Sequence, residues 1–428
     1  MSENGVGEMG SIAGRSKRKA GRWLIAAAAC TVLPAWAASP AGHWVEAWYS
    51  PPVAPASIWS CNQVRAFTHE TVRQVVRLEA GGGGVRVRLT NELGLSRLKV
   101  SEVRIALSSP NGVTERATDR VVTFDGRRSA IIARGKALVS DAVYMPVRRF
   151  ENLAISIYFS GHVVPSGHLH RILISPAGDH AAQSDWPRAQ LEQGPGIASG
   201  VEVESSTARP VLVAFGDSIT EGYCATAGTH RDYPEQLARL LARRPAQRRW
   251  VVINSGISGN QVLRDEAGPK ALSRFGRDAL EIPGVRAIIL LEGINDIGGQ
   301  DGPQGRDSLS DSTLIAAYRD LIRRAHARGL RIYLGTLTPY KGAGYYSAAG
   351  EKVREQVNAW IRRGQDFDGV IPFDHALRDP SRPKHFIGAD ECGDELHPNN
   401  AGYRLMAETV LRHLFAAGAR SSSATAAD

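Results

Sequence analysis

The sequence contains few cysteines, four in 428 residues. One of them, Cys30, falls in an N-terminal stretch that we expect to be removed, which leaves Cys61, Cys224 and Cys392. Small secreted domains that lack a large apolar core are held together by several disulfides, and three cysteines cannot supply such a framework. The sequence therefore predicts at most one bridge and one buried thiol.

Long apolar runs are also lacking. A short run at 23–29 follows a basic stretch that ends at Arg22 and precedes the small residues of "PAWAASP". This run is too short to span a bilayer permanently, but its order of basic, apolar and small residues is that of an export signal. We expect residues 1–38 to be a signal peptide, and the mature protein to be periplasmic or secreted without stable membrane insertion.

A long basic block is the third feature that is missing. The chain has 52 Lys and Arg against 43 Asp and Glu, a formal net charge of +9, and the excess outside the signal is spread along the sequence. Such a pattern is typical of a basic solvated surface rather than of a nucleic-acid interface, so no nucleic-acid partner is expected. The 43% hydrophobic residues are enough for two or three domains with cores.

The first half of the mature chain has an apolar period of two. "GVRVRLTN" at 84–91 alternates apolar with polar residues, which predicts a strand with one buried face. The segments "LKVSEVRIALS", "RVVTFDG", "LAISIYFS" and "HLHRILIS" repeat this pattern between turn residues. We predict an antiparallel β-sandwich domain over residues 41–204. The "GGGG" at 81–84 lacks the lysine and helix of a phosphate loop and is expected to be a flexible turn.

After a linker at 205–210 the pattern changes to continuous apolar strands that alternate with helices. The predicted strands are 211–215, 250–254, 286–293, 330–337 and 369–373, and the predicted helices are 233–244, 310–328, 351–363 and 400–415. This order indicates a parallel sheet covered on both faces. We predict an α/β domain over residues 211–416, followed by a disordered tail at 417–428.

Polar residues follow several of these strands, where an open parallel sheet binds its ligands. They are Gly216-Asp217-Ser218 after the first strand, Gly256 and Gly259 in "NSGISGN" after the second, Asn295 and Asp296 in "GINDIG" after the third, and Asp394 and His397 in "GDELHPN" before the last helix. The predicted topology brings all four loops to one edge of the sheet.

Each of these residue types suits one task in ester hydrolysis. The Ser218 hydroxyl needs a base, and His397 can accept its proton near neutral pH. Asp394 can hold the imidazole in one tautomer. The negatively charged oxygen formed by attack on an ester needs fixed donors, which the Ser218 and Gly259 N–H groups and the Asn295 amide can provide. The sequence therefore predicts a catalytic site at this edge.

The four stretches "GDSIT", "GISGN", "GIND" and "DELHP", in this order across 211–414, resemble the sequence blocks of the GDSL, or SGNH, hydrolase superfamily. The resemblance implies a Ser218–His397–Asp394 triad and an oxyanion hole of Ser218, Gly259 and Asn295. It also implies a flavodoxin-like three-layer α/β/α fold, with no metal and no organic cofactor. The segments "WVEAWYSPP" and "GGVRVRLTN" of the β domain resemble exported bacterial GDSL acylhydrolases of the arylesterase and carbohydrate-esterase kind.

Cys224 follows the nucleophile loop, and Cys392 precedes the loop of Asp394 and His397. Both cysteines are therefore expected near the active-site edge. A bridge that holds the two loops together and a pair of free thiols are both compatible with the sequence. Cys224 could also serve as a nucleophile, but no histidine pattern favours it over Ser218.

Three further sets of residues have alternative interpretations. His168 and His170 lie two apart on a predicted strand and could bind a metal, although no cysteine or carboxylate pattern accompanies them. Trp44 and Trp48 are expected to share a strand face and to pack in the core rather than to stack on sugars. Arg274 is expected in a surface ion pair rather than at a substrate.

Together these features predict an exported serine esterase that removes short acyl groups, acetyl above all, from a small-molecule or carbohydrate ester. The segment between Gly298 and Ser310 is polar and glycine-rich, so it offers no apolar lid for a long acyl chain. The alternatives are a lysophospholipase or thioesterase acting on longer chains, and a non-catalytic glycan-binding protein. The oligomeric state is left open by the sequence.

Overall fold

The computed structural model describes residues 42–55, 65–245, 249–298 and 309–415. The predicted signal peptide and tail, Cys61 and the segment 299–308 lie outside these ranges. From Gly42 onward the chain forms one compact unit. None of the helices in the described ranges is long and apolar enough to cross a membrane.

The N-terminal region of this unit is built of antiparallel strands. Its strands are β1 (His43–Tyr49), β2 (Phe67–Arg77), β3 (Gly82–Asn91), β4 (Leu98–Val100), β5 (Glu102–Leu107), β6 (Arg120–Val121), β7 (Ala130–Ile132), β8 (Lys136–Val139), β9 (Val143–Val147), β10 (Asn152–Val163), β11 (His168–Ala177), β12 (Gln190–Gly196) and β13 (Ala198–Ser205). One sheet has the order β1-β13-β3-β8, with β9 also paired to β3, and the second has the order β12-β11-β2-β10-β5-β6. The predicted antiparallel β-rich fold of this region is confirmed.

Strand β3 shows why the alternating pattern was informative. Val85, Val87 and Leu89 are fully buried in the core, whereas Arg86 and Arg88 are only partly buried. The alternation of side chains on a strand gives one face to the core and the other to solvent.

The glycine run at 81–84 is not a flexible turn, contrary to the sequence prediction. Gly82 begins β3 and pairs with Val147 of β9. A Cβ atom on Gly82 would lie 2.4 Å from the carbonyl oxygen of Glu204. The glycine is needed because two backbones approach closely at this point of the sheet.

Trp44 and Trp48 do not share a strand face. A β-bulge in β1 shifts the register, so that Trp44 pairs with Glu204 and Trp48 with Val201. Partners three residues apart on β13 point to opposite faces of the sheet. The sequence prediction is wrong because the bulge adds one residue to the strand, and Trp48 packs instead against the ring of His170.

The C-terminal region alternates strands and helices. Its strands are β14 (Val211–Gly216), β15 (Val251–Gly256), β16 (Val285–Leu291), β17 (Arg331–Gly335) and β18 (Gly369–Ile371). Its α-helices are α1 (Ser218–Glu221), α2 (Tyr233–Ala242), α3 (Ala271–Phe275), α4 (Ile294–Gly298), α5 (Asp311–His326), α6 (Ala348–Arg363), α7 (Phe373–Leu377) and α8 (Asn400–Leu414), and a π-helical turn at Gly276–Leu280 extends α3. The sheet order β15-β14-β16-β17-β18 is fully parallel. This is the flavodoxin-like order, and the predicted α/β fold is confirmed.

The long helices begin where side chains cap them. Asp232 accepts a hydrogen bond from the Glu235 N–H at the start of α2, and Ser347 does the same for Gly350 at the start of α6. Helices α1, α3, α4 and α7 were not predicted, because four or five residues are too few to show an apolar period.

The β-rich region contacts the α/β region directly. The Tyr49 hydroxyl donates a hydrogen bond of 2.7 Å to Asp278, and the Glu46 N–H donates one of 3.3 Å to the Pro283 carbonyl. Buried polar groups that find partners in this way fix the relative position of the elements that carry them. These contacts join β1 to the π-helical turn that extends α3 and to the loop that precedes β16.

Candidate active site

The nucleophile loop follows β14 without a spacer. Asp217 caps α1 by accepting a hydrogen bond of 3.0 Å from the Ile219 N–H, which makes Ser218 the first residue of the helix. Gly216 leaves no room for a side chain, since its Cβ would lie 2.2 Å from the Leu291 carbonyl oxygen. Ser218 is 5% exposed, at the carboxyl end of β14. The sharp turn therefore holds the hydroxyl at the edge where parallel sheets bind ligands.

The structure brings together Ser218, His397 and Asp394. The Ser218 Oγ lies 2.8 Å from the His397 Nε2, and the His397 Nδ1 lies 2.6 Å from the Asp394 Oδ2. Asp394 also accepts the backbone N–H of His397 at 2.8 Å. Since Nδ1–H donates to the carboxylate, Nε2 is left as an acceptor for the serine hydroxyl.

Asp394 remains charged over a wide pH range. Partial burial alone would raise its pKa, but the hydrogen bonds from the His397 ring and backbone, together with the nearby imidazole, hold the pKa of Asp394 at about 2. The carboxylate is therefore charged near neutral pH, where it can stabilise a positive charge on the His397 ring.

The ring of Tyr223 covers one side of this array. Its centroid lies 4.6 Å from that of the His397 ring, at an angle of 51°. Tyr223 is 55% exposed, so its other side faces solvent. Sequence reasoning did not single out this residue, although it directly follows the "GDSITEG" stretch.

The predicted oxyanion donors lie in the loops after β15 and β16. Gly259 has a φ of 75°, and a Cβ there would lie 2.8 Å from that of Ala267. The Asn295 Nδ2 donates a hydrogen bond of 2.9 Å to the Asn260 carbonyl, and its Oδ1 accepts one of 3.2 Å from the Tyr345 hydroxyl. These two bonds fix the amide orientation and leave the second Nδ2 hydrogen for a ligand.

Asp296, the neighbour of Asn295, holds the glycine loop. Its two carboxylate oxygens accept the N–H groups of Val262 and Leu263 at 2.8 and 3.0 Å. Burial raises the pKa of Asp296 to about 6 despite these bonds. The "GIND" stretch therefore supplies both an amide for the site and an anchor for the loop that contains Gly259.

Arg274 lies beneath the site and not in a surface ion pair, so the sequence expectation is wrong. It is 1% exposed, and its guanidinium donates hydrogen bonds to the Gly216 carbonyl (2.8 Å), the Ser255 carbonyl (3.0 Å) and the Asn260 side chain (2.7 Å). Two buried carboxyl groups face the guanidinium, Glu292 at 3.3 Å and Asp278 at 3.5 Å. Arginine is seldom fully buried, which is why the sequence alone indicated the surface.

Cys224 and Cys392 are joined by a disulfide, with their Cα atoms 6.2 Å apart. The bridge connects the loop after α1 to the loop of Asp394 and His397, and the Cys392 N–H donates to the His397 carbonyl at 3.1 Å. Both sulfurs are used in the bridge, so Cys224 has no free thiol to act as a nucleophile or as a metal ligand.

His168 and His170 take separate partners. The His168 Nε2 lies 3.0 Å from Glu221 and its Nδ1 lies 2.8 Å from the Pro51 carbonyl. The His170 Nε2 lies 2.8 Å from the Ser50 hydroxyl. Three of the four ring nitrogens are thus hydrogen-bonded within the protein.

Comparison with known proteins addresses the α/β region. Residues 214–405 match the family model described as GDSL-like Lipase/Acylhydrolase. A comparison with curated proteins gives no match.

Several solved structures are similar to this region at low identity. A member of the lipolytic protein G-D-S-L family from Veillonella parvula is 25% identical, covers 48% of this chain and 98% of its own, and has a TM-score of 0.34. A GDSL-like lipase from Bacteroides thetaiotaomicron is 17% identical, covering 48% and 87%, with a TM-score of 0.36. An acetyl xylan esterase from Geobacillus stearothermophilus is 22% identical, covering 48% and 94%, with a TM-score of 0.37. With its serine, histidine and aspartate at the end of a parallel sheet, the α/β region of this chain is a GDSL-like lipase/acylhydrolase domain.

Proposed function

We propose that the protein is an exported serine esterase that removes short acyl groups, acetyl above all, from a carbohydrate or another small alcohol. The observation that supports this most directly is the Ser218–His397–Asp394 array, whose two hydrogen bonds have the order and tautomer that a serine hydrolase needs.

In the proposed reaction the Ser218 Oγ attacks the carbonyl carbon of the ester while His397 Nε2 takes the hydroxyl proton. The carbonyl oxygen becomes negatively charged and accepts hydrogen bonds from the Ser218 and Gly259 N–H groups and from the Asn295 amide. His397 then returns the proton to the leaving alcohol, which leaves an acyl group on Ser218. A water molecule, deprotonated by His397, releases the acid by the same steps in reverse order.

A short acyl group is favoured by the scarcity of exposed apolar surface at the site. The large apolar side chains that are exposed in the described ranges are Leu95, Val113, Ile131, Val139, Tyr144, Leu191 and Tyr223. All except Tyr223 belong to the β-rich region, so Tyr223 is the one that lies at the catalytic edge. Each methylene of a long acyl chain gains about 0.8 kcal/mol only when it is buried, and the described residues at this edge expose little apolar surface to bury it.

The same tyrosine supports a carbohydrate as the alcohol. Its ring is half exposed beside His397, where the leaving group has to lie. An aromatic face with one wet side is suited to stack on a sugar ring, whose C–H groups are apolar. The predicted export of the protein would place it where acylated polysaccharides occur.

The proposal is tested with p-nitrophenyl esters from acetate to decanoate and with acetylated xylan, using the mature wild-type protein and Ser218→Ala. We expect turnover to fall steeply from acetate to octanoate, acetate to be released from the polymer, and the variant to be inactive on all substrates. A preference for decanoate or for lysophospholipid would instead indicate a lipase-like enzyme. Binding of the polymer without any turnover would indicate a glycan-binding protein.

A further inference from the structure

Glu221, the last residue of α1, connects three parts of the molecule. It lies one helical turn after Ser218, and the Gly222 N–H that follows it donates to the Ser218 carbonyl at 2.9 Å. One carboxylate oxygen of Glu221 accepts the backbone N–H of Ser258, the residue before Gly259. The other lies 3.0 Å from His168 Nε2 of the β-rich region. The carboxylate thus links the nucleophile helix to the loop of a proposed oxyanion donor.

The partners of His168 determine its protonation. Its Nδ1 lies 2.8 Å from the Pro51 carbonyl, which can only accept, so that nitrogen has to carry a hydrogen. Its Nε2 faces the Glu221 carboxyl, and one proton is shared between these two groups. Histidine ordinarily holds a proton to a higher pH than glutamate does, with pKa values of about 6.5 and 4.3. The ring is therefore an imidazolium that donates from both nitrogens.

The environment is consistent with a charged pair. Burial opposes the charge on His168, which is 7% exposed, but the Glu221 carboxylate and the Pro51 carbonyl outweigh it and raise the pKa of His168. Burial likewise opposes the charge on Glu221, but His168 and the Ser258 N–H lower the pKa of that carboxyl. Each group therefore stabilises the ionised form of the other.

His168 and Glu221 line a cavity between the β-rich and α/β regions, and other titratable and charged groups lie in or near it. On the strand of His168, burial lowers the pKa of His170 to about 3, so that ring is neutral. The positive charge of Arg274 weakly opposes that of His168. The remaining charged or titratable groups lining the cavity are Tyr49, Arg77, Glu79, His230, Asp232 and Glu235. Of these groups, Glu221 is the one hydrogen-bonded to His168.

We propose that protonated His168 is a positioning residue of the esterase site, which holds Glu221 where its carboxylate orients the Ser258–Gly259 backbone. The inference rests on the proposed function, because it assigns the role through the oxyanion donor at Gly259. It gives the β-rich region a part in the reaction: β11 carries His168, and the loop after β1 provides the Pro51 carbonyl.

The proposal predicts the shape of the pH profile. His397 can accept the serine proton only when its ring is neutral. His168 has to be charged, and its pKa is raised, so its contribution is complete at low pH and is lost as the pH rises through that raised value. We expect kcat to fall on the alkaline side when Glu221 loses its cationic partner.

The test uses His168→Ala and His168→Gln in the mature protein, with His170→Gln as the matched control on the same strand. Small misplacements at an active site cost up to about a hundredfold in rate, so we expect kcat of the alanine variant to fall about 10- to 100-fold with little change in KM. Glutamine can donate a neutral N–H to Glu221, so His168→Gln should retain more activity but lose the alkaline fall. His170→Gln should keep the wild-type profile, because the His170 ring contacts Ser50 and not Glu221.

A second measurement does not depend on turnover. Imidazole ¹⁵N shifts, recorded against pH in the Ser218→Ala protein and assigned with His168→Gln, should show His168 with both nitrogens protonated at pH 7. A neutral His168 ring at that pH, or a His168→Ala variant with wild-type kcat and pH profile, would overturn the inference. Retention of activity by Ser218→Ala would overturn the proposed function instead, and the ¹⁵N result would still stand. If His168→Ala does not fold, the glutamine variant and the ¹⁵N titration decide.

Discussion

The hydroxyl of Tyr345 donates a hydrogen bond of 3.2 Å to Oδ1 of Asn295. The Asn260 carbonyl can only accept, so it has to meet the Asn295 Nδ2, and the Tyr345 hydroxyl then donates to the amide oxygen at the other end. The Nδ2 of Asn295 is then oriented with one hydrogen on the Asn260 carbonyl and one free. The tyrosine thereby orients a donor of the proposed oxyanion hole, from a position 50 residues along the chain.

Variants at these two positions should reduce chemistry rather than binding. Loss of one oxyanion donor typically costs about 10²–10³ in kcat, so Asn295→Ala should lower kcat by that factor with little change in KM. Tyr345→Phe keeps the ring but removes one of the two hydrogen bonds that fix the amide, and we expect a smaller loss in kcat, about three- to tenfold. Steady-state kinetics with p-nitrophenyl acetate checks both. If Asn295→Ala instead raises KM and leaves kcat unchanged, Asn295 binds the substrate and does not stabilise the oxyanion.

The array of Ser218, His397 and Asp394 can be tested by single replacements. Ser218→Ala and His397→Ala should each lower kcat by a thousandfold or more, since removal of either ends nucleophilic catalysis. Asp394→Asn removes the negative charge that stabilises the imidazolium and should also be impaired. Because hydrogen bonds hold the pKa of Asp394 at about 2, its carboxylate stays ionised as the pH falls to about 3, so protonation of Asp394 should not reduce the activity of the wild-type protein above that pH.

Circular dichroism and thermal melts of the three variants serve as the control that each is folded. Substantial turnover by folded Ser218→Ala would contradict the assignment of the nucleophile.

The buried arginine provides a test of how the site is supported. Arg274→Met would leave Glu292 and three other acceptors without their partner, and removing one member of a buried pair costs about 3–5 kcal/mol. We expect a loss of this size in the free energy of unfolding, measured by urea denaturation.

Arg323→Ala is the matched control. The Arg323 side chain is 69% exposed and pairs with Asp320 on the surface of α5, so its removal should cost between 0 and about 1 kcal/mol. Equal stability of both variants would contradict the role of Arg274.

The parts of the molecule that could be predicted from the sequence are those determined by residues that are close together along the chain. The parallel strands and four long helices repeat their apolar pattern over enough residues to be recognised, and the loops with Ser218, Asn295 and His397 follow directly from strand ends or precede a helix. Parts that depend on distant partners were not predictable. Tyr345 and Arg274 act through residues far along the chain, and nothing in their neighbours indicates it. The bulge in β1 reversed the face of Trp48 because one extra residue shifts the register of every position after it.

The histidines of β11 show the same limit. Their spacing suggested a shared ligand, but the structure gives them different partners from different elements: the Pro51 carbonyl and Glu221 for His168, and Ser50 for His170. The spacing of residues along a strand predicts which side chains lie on the same face. The residues that contact this face can be identified only from the folded structure.

The disulfide between Cys224 and Cys392 should stabilise the fold more than it affects the chemistry directly. It closes a loop of 168 residues, and constraint of the unfolded chain by so long a loop amounts to about 4–5 kcal/mol in the chain-entropy view. We expect the double variant Cys224→Ser/Cys392→Ser to lose about 3–5 kcal/mol of unfolding free energy. Its kcat should be close to wild type at low temperature and fall earlier on heating, because the loops of nucleophile and base are no longer joined. Cys61→Ser is the control for replacement of a cysteine, since Cys61 takes no part in this bridge. Peptide mapping without reductant should recover Cys224 and Cys392 in one linked fragment, and alkylation of both in the unreduced protein would show that the bridge is absent.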